Sequence, residues 1–249
     1  MPPDRALYRV ITVACLVFCG TLSVPAYGQS ANDLAAFSAL VLSPVGGLPP
    51  LARDEHGGLP ASFDVTIRYG GWRYDIDDGV HNNAGLTFTK RLGKSRSTVA
   101  LTGSYVSLTC ACSVWMSGGI ELRSVLWSAT RNGANARGVS GHIGGDVSLG
   151  AARYMSGDNA SALSTAMRVD LGAGIPFLRG TRIMLSVLPG YGWGRLSSVD
   201  AASSGLRPLV GMAAAWMIRR GFAVDVGTQR VFLPGGPTQL GAGLSWVRQ

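Results

Sequence analysis

The sequence predicts an all-β fold: a closed antiparallel up-and-down β-barrel that crosses a membrane with about ten strands, eight being the alternative count. Three observations lead to this class. Long stretches alternate between apolar and polar residues, an export signal precedes them, and no stretch is apolar for the roughly 20 residues of a membrane-spanning helix. Only 14% of the 249 residues are charged and the mean hydropathy is +0.23, which is high for a soluble protein.

The N-terminus is expected to be a secretory signal peptide over residues 1–28, cleaved after Gly28. Arg5 and Arg9 supply its positive region, and the run VITVACLVFCGTLSV supplies its apolar region. A retained anchor helix and lipidation at Cys19 are the alternatives. The apolar run is short and leads into a cleavage-type sequence of small residues, so export with cleavage is the favoured interpretation.

Residues 29–61 are expected to form a linker or a small plug near one mouth of the barrel. Asn32 or Asp33 would cap a short helix that runs to Leu42. A loop rich in glycine and proline follows over 44–60. The pattern does not separate the linker from the plug.

The barrel itself is predicted over residues 62–249. Its ten expected strands are 62–75, 83–92, 96–108, 113–127, 138–153, 163–175, 181–194, 207–218, 221–231 and 238–247. Most of them reach the roughly 9–11 residues that a tilted membrane strand needs. Short and long connections are expected to alternate between the two rims, with the long connection 128–137 as the exception.

The stretch GVSGHIGGDVSLGAARYM, residues 138–155, shows the alternation most clearly. Ile143, Val147 and Leu149 share one face, whereas His142 and Asp146 share the other. In a soluble protein the apolar face would form the core. In a membrane barrel it faces lipid and the polar face lines the lumen, and this second arrangement is the one we predict.

The charged residues on the predicted polar face balance. Five basic residues, Arg68, Arg91, Arg123, Arg168 and Arg182, stand against five acidic ones, Asp64, Glu121, Asp146, Asp170 and Asp225. Isolated buried charges are expensive, so equal numbers favour mutual pairing inside an enclosed lumen. We expect these ten residues and His142 to form an ion-pair network there.

Aromatic residues near strand ends are the second sign of a lipid-facing barrel, because tryptophan and tyrosine gather at membrane interfaces. Those expected in such belts are Trp72, Tyr74, Trp115, Trp127, Tyr154, Tyr191, Trp193, Trp216 and Trp246.

The last predicted strand carries a further motif. Gly241, Leu244 and Trp246 follow a spacing of glycine, hydrophobic and aromatic residues near the C-terminus, with Val247-Arg248-Gln249 after the aromatic residue. With the export signal and the strand pattern, residues 62–249 resemble the small bacterial outer-membrane β-barrels, in which this motif is the assembly signal. The resemblance implies insertion by the outer-membrane assembly machinery and contact with outer-membrane lipid. Ten strands would match the omptin proteases, and eight the smaller structural barrels.

Two groups of residues resemble catalytic sites. Asp75, Asp77, Asp78 and His81 lie in one predicted loop, and omptin-like proteases use acidic residues and an Asp-His pair to activate water. Here the spacing differs from that of the omptins, so a solvated turn, or a weak calcium site, is favoured.

Ser140, His142 and Asp146 share the polar face as a nucleophile, base and acid would. Lipid A deacylase barrels have the order His-x-Ser on the lipid side. The order is reversed here and the pair faces the lumen, which favours a hydrogen-bond network.

Cys110 and Cys112 are the cysteines that remain after cleavage, and they are separated by one residue. An exported protein permits a disulfide, and a structural loop disulfide or two free thiols are both open. Two thiols alone make a poor metal site, because structural zinc takes four ligands.

These observations favour a non-enzymatic barrel with a side-chain-filled lumen and an envelope-structural or surface-interaction role, without cofactor or metal. A narrow channel for small solutes is the alternative, and an omptin-like or lipid-modifying enzyme is favoured less. The formal net charge is +8, but the arginines form no basic cluster, which argues against nucleic-acid binding and for anionic lipid headgroups. The sequence names no ligand.

Overall fold

The computed structural model describes residues 40, 61–73, 80–108, 113–130, 139–157, 159–177, 182–199, 202–219, 221–232 and 238–248. These contain ten strands: β1 (Phe63–Arg73), β2 (Val80–Arg91), β3 (Ser97–Leu108), β4 (Ser113–Thr130), β5 (Ser140–Tyr154), β6 (Ser161–Pro176), β7 (Arg182–Ser197), β8 (Ala202–Arg219), β9 (Phe222–Val231) and β10 (Thr238–Arg248). None of the helical structure in this part of the chain is long and apolar enough to cross a bilayer.

The ten strands form one closed antiparallel barrel in which every strand pairs with its neighbours along the chain. Closure is made by β1 and β10, whose register runs from Phe63 opposite Arg248 to Arg73 opposite Thr238. The predicted fold class is therefore confirmed, with ten strands rather than eight. We call the end of the barrel that carries Phe63 and Arg248 the terminal rim, and the opposite end the distal rim.

Strand bounds differ from prediction by a few residues, most of all at the start of β8. β8 begins at Ala202 rather than at 207, so the predicted long connection 195–206 shrinks to the residues between Ser197 and Ala202. Its first residues, Ala-Ser-Ser-Gly, have the composition of a loop, but they pair with the end of β7. On the terminal rim, nine residues separate Thr130 from Ser140, whereas two separate Arg219 from Phe222. The long connection after β4 is the exception that the sequence predicted for residues 128–137.

Two of the connections on the terminal rim depend on glycine. Gly93 has φ of 60° and Gly221 has φ of 105°, both in the region that residues with a Cβ avoid. Each lies between antiparallel neighbours, β2 and β3 for Gly93 and β8 and β9 for Gly221. Glycine at these positions lets the chain reverse direction within a few residues.

Polarity is inverted relative to a soluble protein. On β6, Val169 is 47% exposed on the outer wall, whereas its neighbours Arg168 and Asp170 are 1% and 0% exposed in the lumen. Ile67 is the same kind of outward residue at 64%. Along β5, buried residues alternate with more exposed ones from Ser140 to the distal rim. The apolar face therefore points outward and the polar face fills the interior, as predicted, and as a membrane-spanning barrel requires.

Candidate functional site

The lumen is the candidate site, because the residues singled out by the sequence converge there. From the terminal rim to the distal rim it contains a histidine cluster, a charged layer and an apolar layer. The histidine cluster is Ser140, His142, Asp170 and Arg182. The charged layer is Arg68, Glu121, Arg123, Asp146, Arg168 and Asp225. The apolar layer is Leu40, Trp72, Val106, Trp115, Ala152, Ala162, Ala166, Leu209 and Val231.

Arg168 is the centre of the charged layer. From β6 its Nε donates to Asp146 Oδ1 of β5 at 2.8 Å, and its Nη1 donates to Gln229 Oε1 of β9 at 3.3 Å. Its Nη2 lies 3.7 Å from Glu121 Oε2 of β4. One guanidinium thus connects walls that are far apart around the barrel. Gly190 on β7 makes room for it, because a Cβ there would overlap the Arg168 side chain and neighbouring backbone.

A second ion pair joins two strands that are not neighbours in the sheet. Arg68 Nη2 of β1 lies 2.8 Å from Asp225 Oδ1 of β9, although β10 separates these two strands. Gly243 of β10 is the register partner of both residues. A Cβ at Gly243 would lie 2.7 Å from Asp225 Oδ2. The missing side chain therefore lets the ion pair pass over β10 inside the lumen.

Two other charged residues of the set have a hydrogen-bond partner on their own strand. Arg123 Nη2 donates to Glu121 Oε1 at 2.8 Å, two residues away on β4. Asp64 is buried near the terminal rim, where its carboxylate accepts a hydrogen bond from the Thr66 hydroxyl at 3.2 Å. Arg91 is half-buried at the end of β2.

His142 and Asp170 form the buried core of the histidine cluster, with His142 Nε2 3.1 Å from Asp170 Oδ1. Beside them, Arg182 Nη2 donates to Ser140 Oγ at 2.9 Å. The histidine therefore uses Asp170 of the next strand, and not Asp146, as its carboxylate partner in this contact, and Ser140 is held by an arginine. These contacts differ from those of a nucleophile–base–acid relay and correspond to a packed hydrogen-bond network.

Gly172 is required by this packing, since a Cβ there would overlap the His142 imidazole. We expect Gly172→Ala to displace the ring from Asp170 and to lower the free energy of unfolding by about 1–3 kcal/mol. The measurement is urea unfolding of the refolded barrel in detergent. Gly211→Ala is the matched control, because Gly211 also lines the interior and its added Cβ would meet Leu188 Cβ at an ordinary 3.5 Å. Equal stability of the two variants would contradict this account.

The apolar layer corrects one sequence-based expectation. Trp72 and Trp115, predicted to lie in lipid-facing belts, are 3% and 7% exposed and point into the lumen. Tyr154 packs beside Trp115 with ring centroids 5.3 Å apart. The sequence already indicated this orientation. Trp72 is separated from Asp64 and Arg68 by even numbers of residues on β1, so it shares their inward face.

The other aromatic residues that the structure describes do lie on the outer wall. Tyr191 is 60% exposed near the distal rim, and outward tryptophans near the terminal rim are Trp127, Trp216 and Trp246. Trp193 has the outward parity of Tyr191 and is half-buried. Trp127 follows a register irregularity between Val125 and Trp127, which turns both Leu126 and Trp127 outward.

Three residues of the C-terminal motif lie on β10. Leu244 and Trp246 are exposed on the outer wall, and the Trp246 ring packs edge-on against Phe63 of β1 with centroids 6.1 Å apart. Gly241 lines a small cavity inside the barrel. Their role as an assembly signal stays a prediction.

Several sequence-based predictions lie outside the described residues. They are the signal peptide with Cys19, most of 29–61, Tyr74, Asp75, Asp77, Asp78 and the pair Cys110 and Cys112. The backbone of His81 lies in β2, but its side chain is outside the description. Within the described ranges, no group of three or more histidine, cysteine, aspartate or glutamate residues could hold a metal ion.

Comparison with known proteins gives a likeness in fold. No protein-family model and no curated protein matches the chain. Similar solved structures include the N-terminal β-barrel domain of OprF from Pseudomonas aeruginosa, with 14% identity, coverage of 74% of this chain and 96% of that one, and a TM-score of 0.31. The β domain of the Bordetella autotransporter BrkA has 10% identity, coverage of 75% and 98%, and a TM-score of 0.41.

A third similar structure is Ail, the attachment invasion locus protein of Yersinia pestis, solved in complex with the heparin analogue sucrose octasulfate. It has 13% identity, coverage of 75% of this chain and 97% of that one, and a TM-score of 0.30. At these identities the likeness concerns architecture alone. By its closed ten-strand meander and its apolar outer wall, the chain has the fold of a bacterial outer-membrane β-barrel.

Proposed function

We propose that this chain is a closed, non-enzymatic barrel of the bacterial outer membrane, with an envelope-structural or surface-interaction role. The observation that carries the proposal is the crossing of the lumen by Arg168, whose guanidinium contacts residues of β4, β5 and β9. A passage for solutes needs a continuous aqueous path, and this side chain with its partners occupies the middle of it.

The position of Leu40 favours a lumen that is also closed nearer the distal rim. It belongs to the part of the chain before the barrel, yet it is fully buried among lumen residues of the apolar layer. A Cβ at Gly192 would lie 2.8 Å from Leu40 Cδ2, so the glycine leaves the space that the leucine fills. This placement favours the plug over the linker for residues 29–61.

One cavity in the described part of the barrel adjoins the charged layer at Arg68. This cavity of about 40 Å³ lies between β1, β2, β3 and β10, lined by Arg68, Thr87, Thr102 and Gln239 among others. A cavity needs roughly 10–15 Å³ of such volume to hold one water molecule, so this cavity has room for a few waters.

Location is tested by cell fractionation together with a heat-modifiability gel. We expect the mature chain, after removal of its signal peptide, to be found with outer membranes, and to migrate faster before boiling than after. Insertion would be carried out by the outer-membrane assembly machinery. A chain that stays in the supernatant without detergent would contradict the proposal.

Closure is tested by planar-bilayer recording of the refolded chain. We expect no steady conductance from the wild type, and none from Leu40→Ala or Arg168→Ala alone, because each variant keeps the other layer. The double variant truncates a central side chain in both layers and is expected to give discrete openings. Heat-modifiability of each variant checks that it is folded. Steady openings from the wild type would instead support the channel.

A further inference from the structure

Charge is segregated between the two faces of the barrel wall. In the described ranges, all five acidic residues line the lumen: Asp64, Glu121, Asp146, Asp170 and Asp225. Seven basic residues there are exposed on the outer wall or at the rims: Lys90, Lys94, Arg96, Arg153, Arg195, Arg230 and Arg248. The charged side chains that the structure describes on the exterior are therefore all basic, and they would attract anionic groups.

Near the distal rim, two of these arginines each stand opposite a serine on the next strand. Arg153 of β5 stands opposite Ser161 of β6, and Arg195 of β7 stands opposite Ser204 of β8. All four residues are exposed. Because adjacent strands lie about 4.8 Å apart, arginines on β5 and β7 are separated across the strands by roughly 10 Å. In the described part of the chain, neither arginine forms an ion pair with a carboxylate.

Apolar residues adjoin both arginines on the outer wall. Leu163, which is 45% exposed on the intervening β6, is the register partner of Arg195. Met116, 51% exposed on β4, is the register partner of Arg153. Tyr191 lies four residues before Arg195, further from the rim. Such a mixture of guanidinium, hydroxyl and apolar surface fits the boundary between lipid tails and headgroups.

We propose that Arg153 with Ser161 and Arg195 with Ser204 bind the headgroup of a membrane lipid that carries two phosphate groups, in the leaflet at the distal rim. Each guanidinium would donate two parallel hydrogen bonds to one phosphate, with the facing serine hydroxyl as a further donor. The acyl chains would lie against Leu163 and Met116. The inference rests on the proposed membrane location and names a lipid class for it.

The test is native mass spectrometry of the refolded full chain in detergent, with two purified probes. One is a diglucosamine lipid that bears two phosphate monoesters, and the other is the same lipid after removal of one phosphate. We expect the wild type to prefer the first probe, and the double variant Arg153→Gln/Arg195→Gln to bind it at least about tenfold more weakly. Inorganic phosphate at the same concentration is expected not to compete, because it lacks the acyl chains.

The matched control is Arg96→Gln/Arg248→Gln, which removes the same charge from the terminal rim and should leave binding unchanged. In the sequence, Asp158 occurs between β5 and β6 and Asp200 between β7 and β8, and the variant Asp158→Asn/Asp200→Asn should also keep full binding. Equal weakening by the terminal-rim control, no preference between the two probes, or full binding by the distal double variant would each overturn the inference. The fractionation experiment distinguishes failure of this inference from failure of the proposed function. A chain found in the outer membrane that shows no headgroup preference would refute only the lipid site.

Discussion

Replacing Arg168 with methionine is expected to lower the free energy of unfolding by about 3–5 kcal/mol. The substitution keeps much of the volume of the side chain but removes its charge. Asp146, whose side chain is fully buried, then loses the donor that lies 2.8 Å from its carboxylate. An unpaired buried carboxylate costs far more than the pair contributes, because its desolvation is no longer compensated. Urea unfolding of the refolded barrel, followed by tryptophan fluorescence, measures the loss.

Two controls separate this effect from a general loss of positive charge. Arg96→Met removes an exposed arginine between β2 and β3 and should change stability by no more than about 0.5 kcal/mol. The double variant Arg168→Met/Asp146→Leu removes both members of the buried pair and should recover much of the stability lost by the single variant. If Arg168→Met were as mild as Arg96→Met, the charged layer would be hydrated and the lumen open.

The strands were predictable because one physical rule governs nearly the whole barrel. Each side of the wall meets a different medium, so side chains alternate with period two and the alternation survives in the sequence. All ten strands were located in this way. The rule is weakest where side chains are small, which explains the late predicted start of β8. It also fails where register shifts, as between Val125 and Trp127, because a single irregularity reverses the parity of later residues.

The members of the lumen network were predictable but their partners were not. Parity places Arg68, Asp225, His142 and Asp170 inside, yet nothing in a strand pattern tells which side chains meet across the interior. The Arg68–Asp225 contact depends on the absence of a side chain at Gly243 of β10, the strand between them, and Gly243 is far in sequence from Arg68. Such contacts follow from the register of closure, which the sequence alone does not determine.

The apolar layer was missed for a different reason. Aromatic residues near strand ends are typical of membrane interfaces, and this general expectation was applied to Trp72 and Trp115 without regard to their parity. Leu40 had no strand pattern that would place it anywhere, because it belongs to the segment before the barrel. Its position among lumen residues becomes visible only in three dimensions.

The outward orientation of the apolar face leads to a second large destabilisation, by a charge placed on the outer wall. Val169 lies near the middle of β6, 47% exposed, between the buried Arg168 and Asp170. We expect Val169→Arg to lower the free energy of unfolding in phospholipid vesicles by about 2–4 kcal/mol, the cost of arginine on the lipid side near the bilayer midplane.

Leu206→Arg is the matched control for depth, since Leu206 is also an apolar residue on the outer wall but lies nearer the distal start of β8. There the guanidinium reaches the headgroups, and the expected cost is about 0–1 kcal/mol. In a soluble protein both substitutions would put a charge into water at an exposed position, and both would be nearly neutral. A depth-dependent difference between the two variants therefore requires lipid around the barrel, whereas equal stability would mean that this apolar wall faces water.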